Sequence, residues 1–164
     1  MTVAGIDFNT HRVDIVCLHE TKPPEWDGFE LPRAALAFDR ARHARSCLPT
    51  ASWWENRGVY LVGIEAPMSR HVQSAAPLSR TQGVIIATIP PGITVVETPP
   101  AEWLRKLVGD EKGIPRASED RKRLARVEAQ NRGAPYHWST DAYDAFGIAW
   151  AVRELNEHAL TLTS

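Results

Sequence analysis

The apolar residues of this chain recur with two periods. Val3, Gly5, Ile6 and Phe8, then Val13, Ile15, Val16 and Leu18, form two short runs rich in β-branched side chains on either side of Asn9, Thr10, His11 and Arg12. That pattern predicts a β-hairpin. Residues 20–28, with Pro23, Pro24 and Gly28, read as a connection, and residues 29–31 as a short third strand before Pro32. From Arg33, the positions Ala34, Leu36, Ala37, Ala41 and Ala44 recur at helical spacing, so a helix is expected to end before Pro49. A short helix over 52–57 stops at Gly58, and the nearly continuous apolar run 59–64 predicts a strand buried on both faces.

A helix capped by Ser74, with Pro77 in its first turn, should reach about Ile89, where Pro90 and Pro91 prevent continuation. A strand over 93–96 follows, and then a helix opened by Thr98, Pro99 and Pro100 and running to Val108. Residues 109–117 form a loop, Ser118 starts a charged helix to Gln130, and Ser139 or Thr140 caps a last helix to about His158. Strands alternating with helices after an antiparallel start imply an α/β fold, a mixed sheet covered on both faces.

At 164 residues and 43% hydrophobic composition, the chain suits one domain over 1–164 that buries roughly 70% of its unfolded surface. Disordered, collagenous and solenoid classes are excluded. No apolar run approaches the length of a membrane span, and residues 1–7 lack a basic or long apolar segment, which leads us to expect a cytoplasmic protein. Cys17 and Cys47 have no metal-ligand spacing and read as buried thiols. Gly-rich phosphate loops are absent, and Ser69 and Ser79 have no nearby His and Asp to activate them.

Four acids stand on apolar elements. Asp7 lies inside the first run, Glu65 ends the buried strand, and Asp141 and Asp144 share a face at the start of an otherwise apolar helix. A desolvated carboxylate must be protonated, paired or metal-bound. If the sheet brings the four together, hard divalent cations answer the set, because Mg²⁺ and Mn²⁺ prefer carboxylate and water ligands. Taken singly, each acid would read as a cap or a surface ion pair.

Gly5-Ile6-Asp7, Gly63-Ile64-Glu65, and Asp141-Ala142-Tyr143-Asp144-Ala145 followed by Gly147-Ile148-Ala149 resemble the RuvC family of Holliday-junction resolvases, within the RNase H-like nucleases. Gln82-Gly83-Val84, Val95-Val96-Glu97 and residues 103–109 extend the resemblance over nearly the whole chain. It implies an RNase H-like fold with a mixed five-stranded sheet. It also implies a homodimeric, metal-dependent endonuclease that resolves four-way junctions by paired nicks. Asp7, Glu65, Asp141 and Asp144 would then be both catalytic residues and ligands of two Mg²⁺ or Mn²⁺ ions. Water would attack phosphorus in line, leaving 5′-phosphate ends.

The resemblance has departures. Phe8-Asn9-Thr10 replaces a Pro or Gly turn after the first acid, so Asn9 would have to supply a left-handed conformation. Met68 stands where an aromatic wedge is common, and Asp120 stands where a basic residue is common, leaving Arg121 or Lys122 to substitute.

Net charge is −1, yet setting the four acids aside leaves +3, and 15 of the 19 basic residues are arginine. Residues 101–135 carry nine basic and six acidic side chains. Arg116, Arg121, Lys122, Arg123 and Arg126 are candidates for gripping the DNA backbone, together with Met68 and Arg70. Ala75, Leu78 and Ile85 mark a candidate dimer face. Trp53, Trp54, Trp103 and Trp150 read as core, and His11, His71 and His137 as loop histidines. Two alternatives stay open: an RNase H-like nuclease acting on flaps, other branched DNA or RNA–DNA hybrids, and a catalytically silent domain that only binds nucleic acid or a protein.

Overall fold

A hairpin starts the sheet in the computed structural model of the chain, which describes residues 1–32, 37–66, 72–109 and 113–162, with the backbone alone described at 37–41, 72–75 and 158–162. Strands β1 (Thr2–Phe8) and β2 (Arg12–His19) pair antiparallel, from Thr2 opposite His19 to Phe8 opposite Val13. The turn needs no left-handed residue, contrary to expectation for Asn9, since no described non-glycine residue has a positive φ. Asn9 Oδ1 instead accepts the backbone N–H groups of His11 and Arg12 at 2.8 and 2.9 Å. This Asx-type bonding lets a side chain do what an unusual backbone angle would otherwise do.

Strand β3 (Glu25–Glu30) pairs antiparallel with β2 and occupies much of the stretch that the sequence reads as a connection. Glu-Trp-Asp-Gly-Phe-Glu has little strand propensity. Long-range partners hold it instead: Arg12 pairs with Glu30, and Arg57 reaches Asp27 at 2.8 Å. A charged edge also blunts unwanted pairing with other chains.

Strand β4 (Val59–Glu65) lies parallel to β1, and β5 (Thr94–Thr98) lies parallel to β4, giving the order β3-β2-β1-β4-β5. This is the five-stranded mixed sheet expected. Helices α1 (Ala37–Cys47), α2 (Ala51–Asn56) and α3 (Val72–Ile86) cover one face, over a core that includes Ile6, Ile15, Val62, Ile64 and Ile85. The other face carries α4 (Pro100–Val108), α5 (Ser118–Asn131) and α6 (Thr140–Leu162), with Val16, Leu107, Phe146 and Ile148 between the layers.

Three expectations change here. Helix α3 begins at Val72, before Ser74, so Pro77 lies inside it rather than in its first turn, and it ends at Ile86. Ile85 is 1% exposed and belongs to the core, because the sheet face bearing Ile6 and Ile64 needs that cover. It cannot serve a dimer surface. Leu78 is half-buried, and the side chain of Ala75 lies outside the described residues. Cys17 is buried as read, whereas Cys47, in the last turn of α1, is exposed.

One contact sets the position of α6 on the sheet. A Cβ on Gly5 would lie 2.1 Å from the Ala145 carbonyl oxygen and 2.4 Å from the Ala149 nitrogen. The α6 backbone thus rests directly on β1, an approach open only to glycine.

Candidate functional site

The close approach of α6 to β1 brings the amino-terminal turns of the helix over the carboxyl end of the strand. Asp7 is two residues beyond Gly5 and therefore on the same face of the sheet. Asp144 directly precedes Ala145, which touches the Gly5 position, and Asp141 lies one turn earlier. Ser139 fixes where the helix starts, since its Oγ accepts the Ala142 N–H at 3.1 Å, the capping geometry expected of Ser at this position. As a result, Asp7, Asp141 and Asp144 bring carboxylate oxygens within 4.8 Å of one another.

Glu65 comes to the same end by strand pairing. Ile6 of β1 is opposite Ile64 of β4, and the next residues are Asp7 and Glu65. Glu65 stands outside the tight group of three but feels it electrically, raising and being raised by its neighbours.

The cluster holds more negative charge than it can keep. Burial, then Asp144 and Asp141, push the Asp7 carboxyl up to about 8. Burial and then Asp7 raise Glu65 to about 7, and Asp144 is raised to about 7 chiefly by burial, with Glu65 and Asp141 adding to it. Lys122 on α5 opposes these shifts, its Nζ 3.4 Å from Asp141 Oδ1. With side chains 48% and 31% exposed, that pair is weak. One exposed ammonium against a crowded set of acids leaves a demand for positive charge. The donor set is hard oxygen throughout, so it fits Mg²⁺ or Mn²⁺.

The remaining predicted residues divide. Lys122 is the basic group beside the acids, while Asp120 is exposed nearby in sequence. Arg116, Arg121, Arg123 and Arg126 are exposed, as backbone contacts would need. Met68, Ser69, Arg70 and His71 lie outside the described residues. Trp54 and Trp103 are core, but Trp53 is half-buried, with the Arg57 guanidinium 4.0 Å from its ring centroid. Trp150 is likewise half-buried, flanked by Arg132 and Arg153. His137 is exposed in the loop before α6.

Sequence reasoning missed Asp14. It sits directly opposite Asp7 on β2 and is 1% exposed. Arg12 grips it with Nε at 2.8 Å and Nη2 at 3.2 Å, the Trp26 indole N–H donates to it at 2.7 Å, and Ser139 Oγ lies at 3.4 Å. The signal was available: an acid inside an apolar run, with Arg12 two residues earlier on the same strand face.

No family model matches the chain, and no curated protein is similar to it in sequence. Solved structures are similar in fold. The chain superposes on RuvC of Thermus thermophilus with a TM-score of 0.70 and 15% identity, covering 97% of each chain. On T. thermophilus RuvC in complex with a Holliday junction substrate, the TM-score is 0.71 with 12% identity, covering 96% of each chain. The five-stranded mixed sheet with helices on both faces is the RNase H-like fold of those proteins.

Proposed function

We propose that this protein is a divalent-metal-dependent, structure-selective DNA endonuclease that resolves four-way junctions by paired symmetric nicks. The observation that carries the reading is the convergence of Asp7, Asp141 and Asp144 within 4.8 Å at the end of β1, on a fold shared with RuvC. Asp7, Asp141, Asp144 and Glu65 would hold two Mg²⁺ or Mn²⁺ ions. When bound, the ions supply water activation and neutralise charge on the phosphate and the leaving 3′-oxygen.

The chain's own residues do the rest. The four carboxylates fix the place where a phosphate can sit, and the Gly5 contact fixes their spacing. Lys122 is exposed enough to leave Asp141 for a substrate phosphate. Arg116 and Arg121, both exposed, would add backbone contacts that position DNA without reading sequence. The reaction needs no side-chain nucleophile. Since a junction needs two symmetric cuts and one chain supplies one cluster, the working form is a homodimer.

The test is to incubate labelled four-way junction, flap, RNA–DNA hybrid and plain duplex with the protein in Mg²⁺, Mn²⁺ or EDTA. Paired nicks in the junction with 5′-phosphate ends, lost in EDTA and in Asp144→Asn, are expected. Preferred cutting of flaps or hybrids would move the substrate assignment. Junction binding with no cleavage in either metal would leave only a binding domain.

A further inference from the structure

Two buried donors lie close to Glu65 without a hydrogen bond of good geometry. The indole N–H of Trp103, a residue 5% exposed, and the Oγ1 of Thr98, a residue 1% exposed, make no hydrogen bond of full geometry. Both lie on the Glu65 side of the sheet. Thr98 is the register partner of Glu65 across the parallel β4–β5 pair, so the two side chains share a face. Trp103 is wedged from α4 against α6: a Cβ on Gly147 would lie 2.6 Å from its Cε3 and 2.7 Å from its Cζ3. The ring therefore fills a notch one turn beyond Asp144, with Glu65 as the carboxylate that its N–H faces. A buried donor without a well-formed hydrogen bond costs free energy, so the persistence of two beside a carboxylate needs a reason.

We propose that Trp103 and Thr98 are positioning residues that hold the Glu65 carboxylate in its cation-ligating orientation. This rests on the cation-binding part of the proposed function. Each donor closes a charge-assisted hydrogen bond to Glu65 when that carboxylate turns toward the Asp7 group. The notch at Gly147 keeps the indole from following it, so Glu65 is held at a fixed reach from Asp144. Trp103 is thereby more than a filler of the α4–α6 interface, and Glu65 is tied to the cluster from which it stands apart.

The experiment is a calorimetric titration of the full chain with Mn²⁺ in the absence of DNA, comparing wild type, Trp103→Phe, Thr98→Val and Thr98→Ser. Each variant is also made on a Glu65→Gln background. Thermal unfolding in EDTA confirms that each is folded, and Thr98→Val carries the test should Trp103→Phe fail to fold. Loss of an outer hydrogen bond to a ligand typically weakens metal binding about 10–100-fold. Trp103→Phe and Thr98→Val are each expected to weaken Mn²⁺ binding about 10-fold, Thr98→Ser to restore it, and neither effect to persist in Glu65→Gln. Wild-type affinity in both Trp103→Phe and Thr98→Val, or an equal loss with Glu65→Gln present, would overturn the inference. Because no DNA is present, a protein that binds Mn²⁺ in this pattern but cuts no branched DNA supports the positioning role while overturning the nuclease reading. A wild type that binds no Mn²⁺ overturns both.

Discussion

Asp7 and Asp14 face each other across one antiparallel pair, on the same side of one sheet, and the molecule treats them in opposite ways. Asp14 is enclosed by donors: a two-pronged arginine, the indole N–H of Trp26 and the hydroxyl of Ser139. Asp7 is enclosed by acids, and burial together with Asp144 and Asp141 drives its carboxyl to about 8. Desolvating either acid costs free energy, but only in Asp14 do fixed protein groups offset that cost. An uncompensated buried acid kept among other acids is a site waiting for a cation, whereas a compensated one is a structural tie. Asp14 also ties the right place, because Ser139 is the residue that caps α6 and so sets where Asp141 and Asp144 begin.

The largest expected separation between the two is in activity. Asp7→Asn should lower cleavage on the order of 10³-fold or more, beyond the 10–100-fold typical of losing a group outside the ligand shell, with the fold intact by circular dichroism. Asp14→Ala should reverse the pattern. It removes the partner of a buried ion pair and should cost about 3 kcal/mol in urea unfolding, the low end for buried pairs because the Arg12 side chain is 30% exposed.

A pH series sharpens the contrast. Folding raises the Asp7 carboxyl from 3.8 to about 8 and Asp144 from 3.8 to about 7, so the native state keeps protons that the unfolded chain has released. The cluster's contribution to stability is therefore greatest at low pH and is lost as pH rises through about 7 to 8. In EDTA, wild type should lose stability between pH 5 and 8 more steeply than Asp7→Asn. Added Mn²⁺ should raise the unfolding midpoint more at pH 8 than at pH 5, since the ion competes with those protons. The smallest effect belongs to Lys122→Ala: its exposed pair with Asp141 should be worth under about 1 kcal/mol in unfolding, with junction binding weakened modestly and more at low salt.

The sequence carried most of the topology, because the hairpin, the buried β4 run and the six helices have strong periodicity or clear capping residues. It also carried the acids, because carboxylates on apolar elements are conspicuous. What escaped it was information held between distant residues. In sequence, Asp14 looks like Asp7, an acid inside an apolar run; Arg12 is the one local mark of difference, and Trp26 and Ser139, farther along the chain, complete it. Of β3, residues 29 and 30 were legible as strand, but 25–28 escaped for the same reason: their charged side chains oppose strand formation until Arg57 pairs with Asp27. The turn after Asp7 was misjudged because hydrogen bonds from the Asn9 side chain replaced the backbone angle expected of it. Ile85 looked available for a partner because periodicity marks an apolar face but not what it packs against.

The most direct measurement is anomalous diffraction at the manganese edge from crystals of the protein grown with Mn²⁺. The expected result is manganese density among Asp7, Asp141 and Asp144, with Glu65 turned toward it, and no density at Asp14. Manganese elsewhere with that cluster empty, or Lys122 drawn in to neutralise the acids instead, would contradict it.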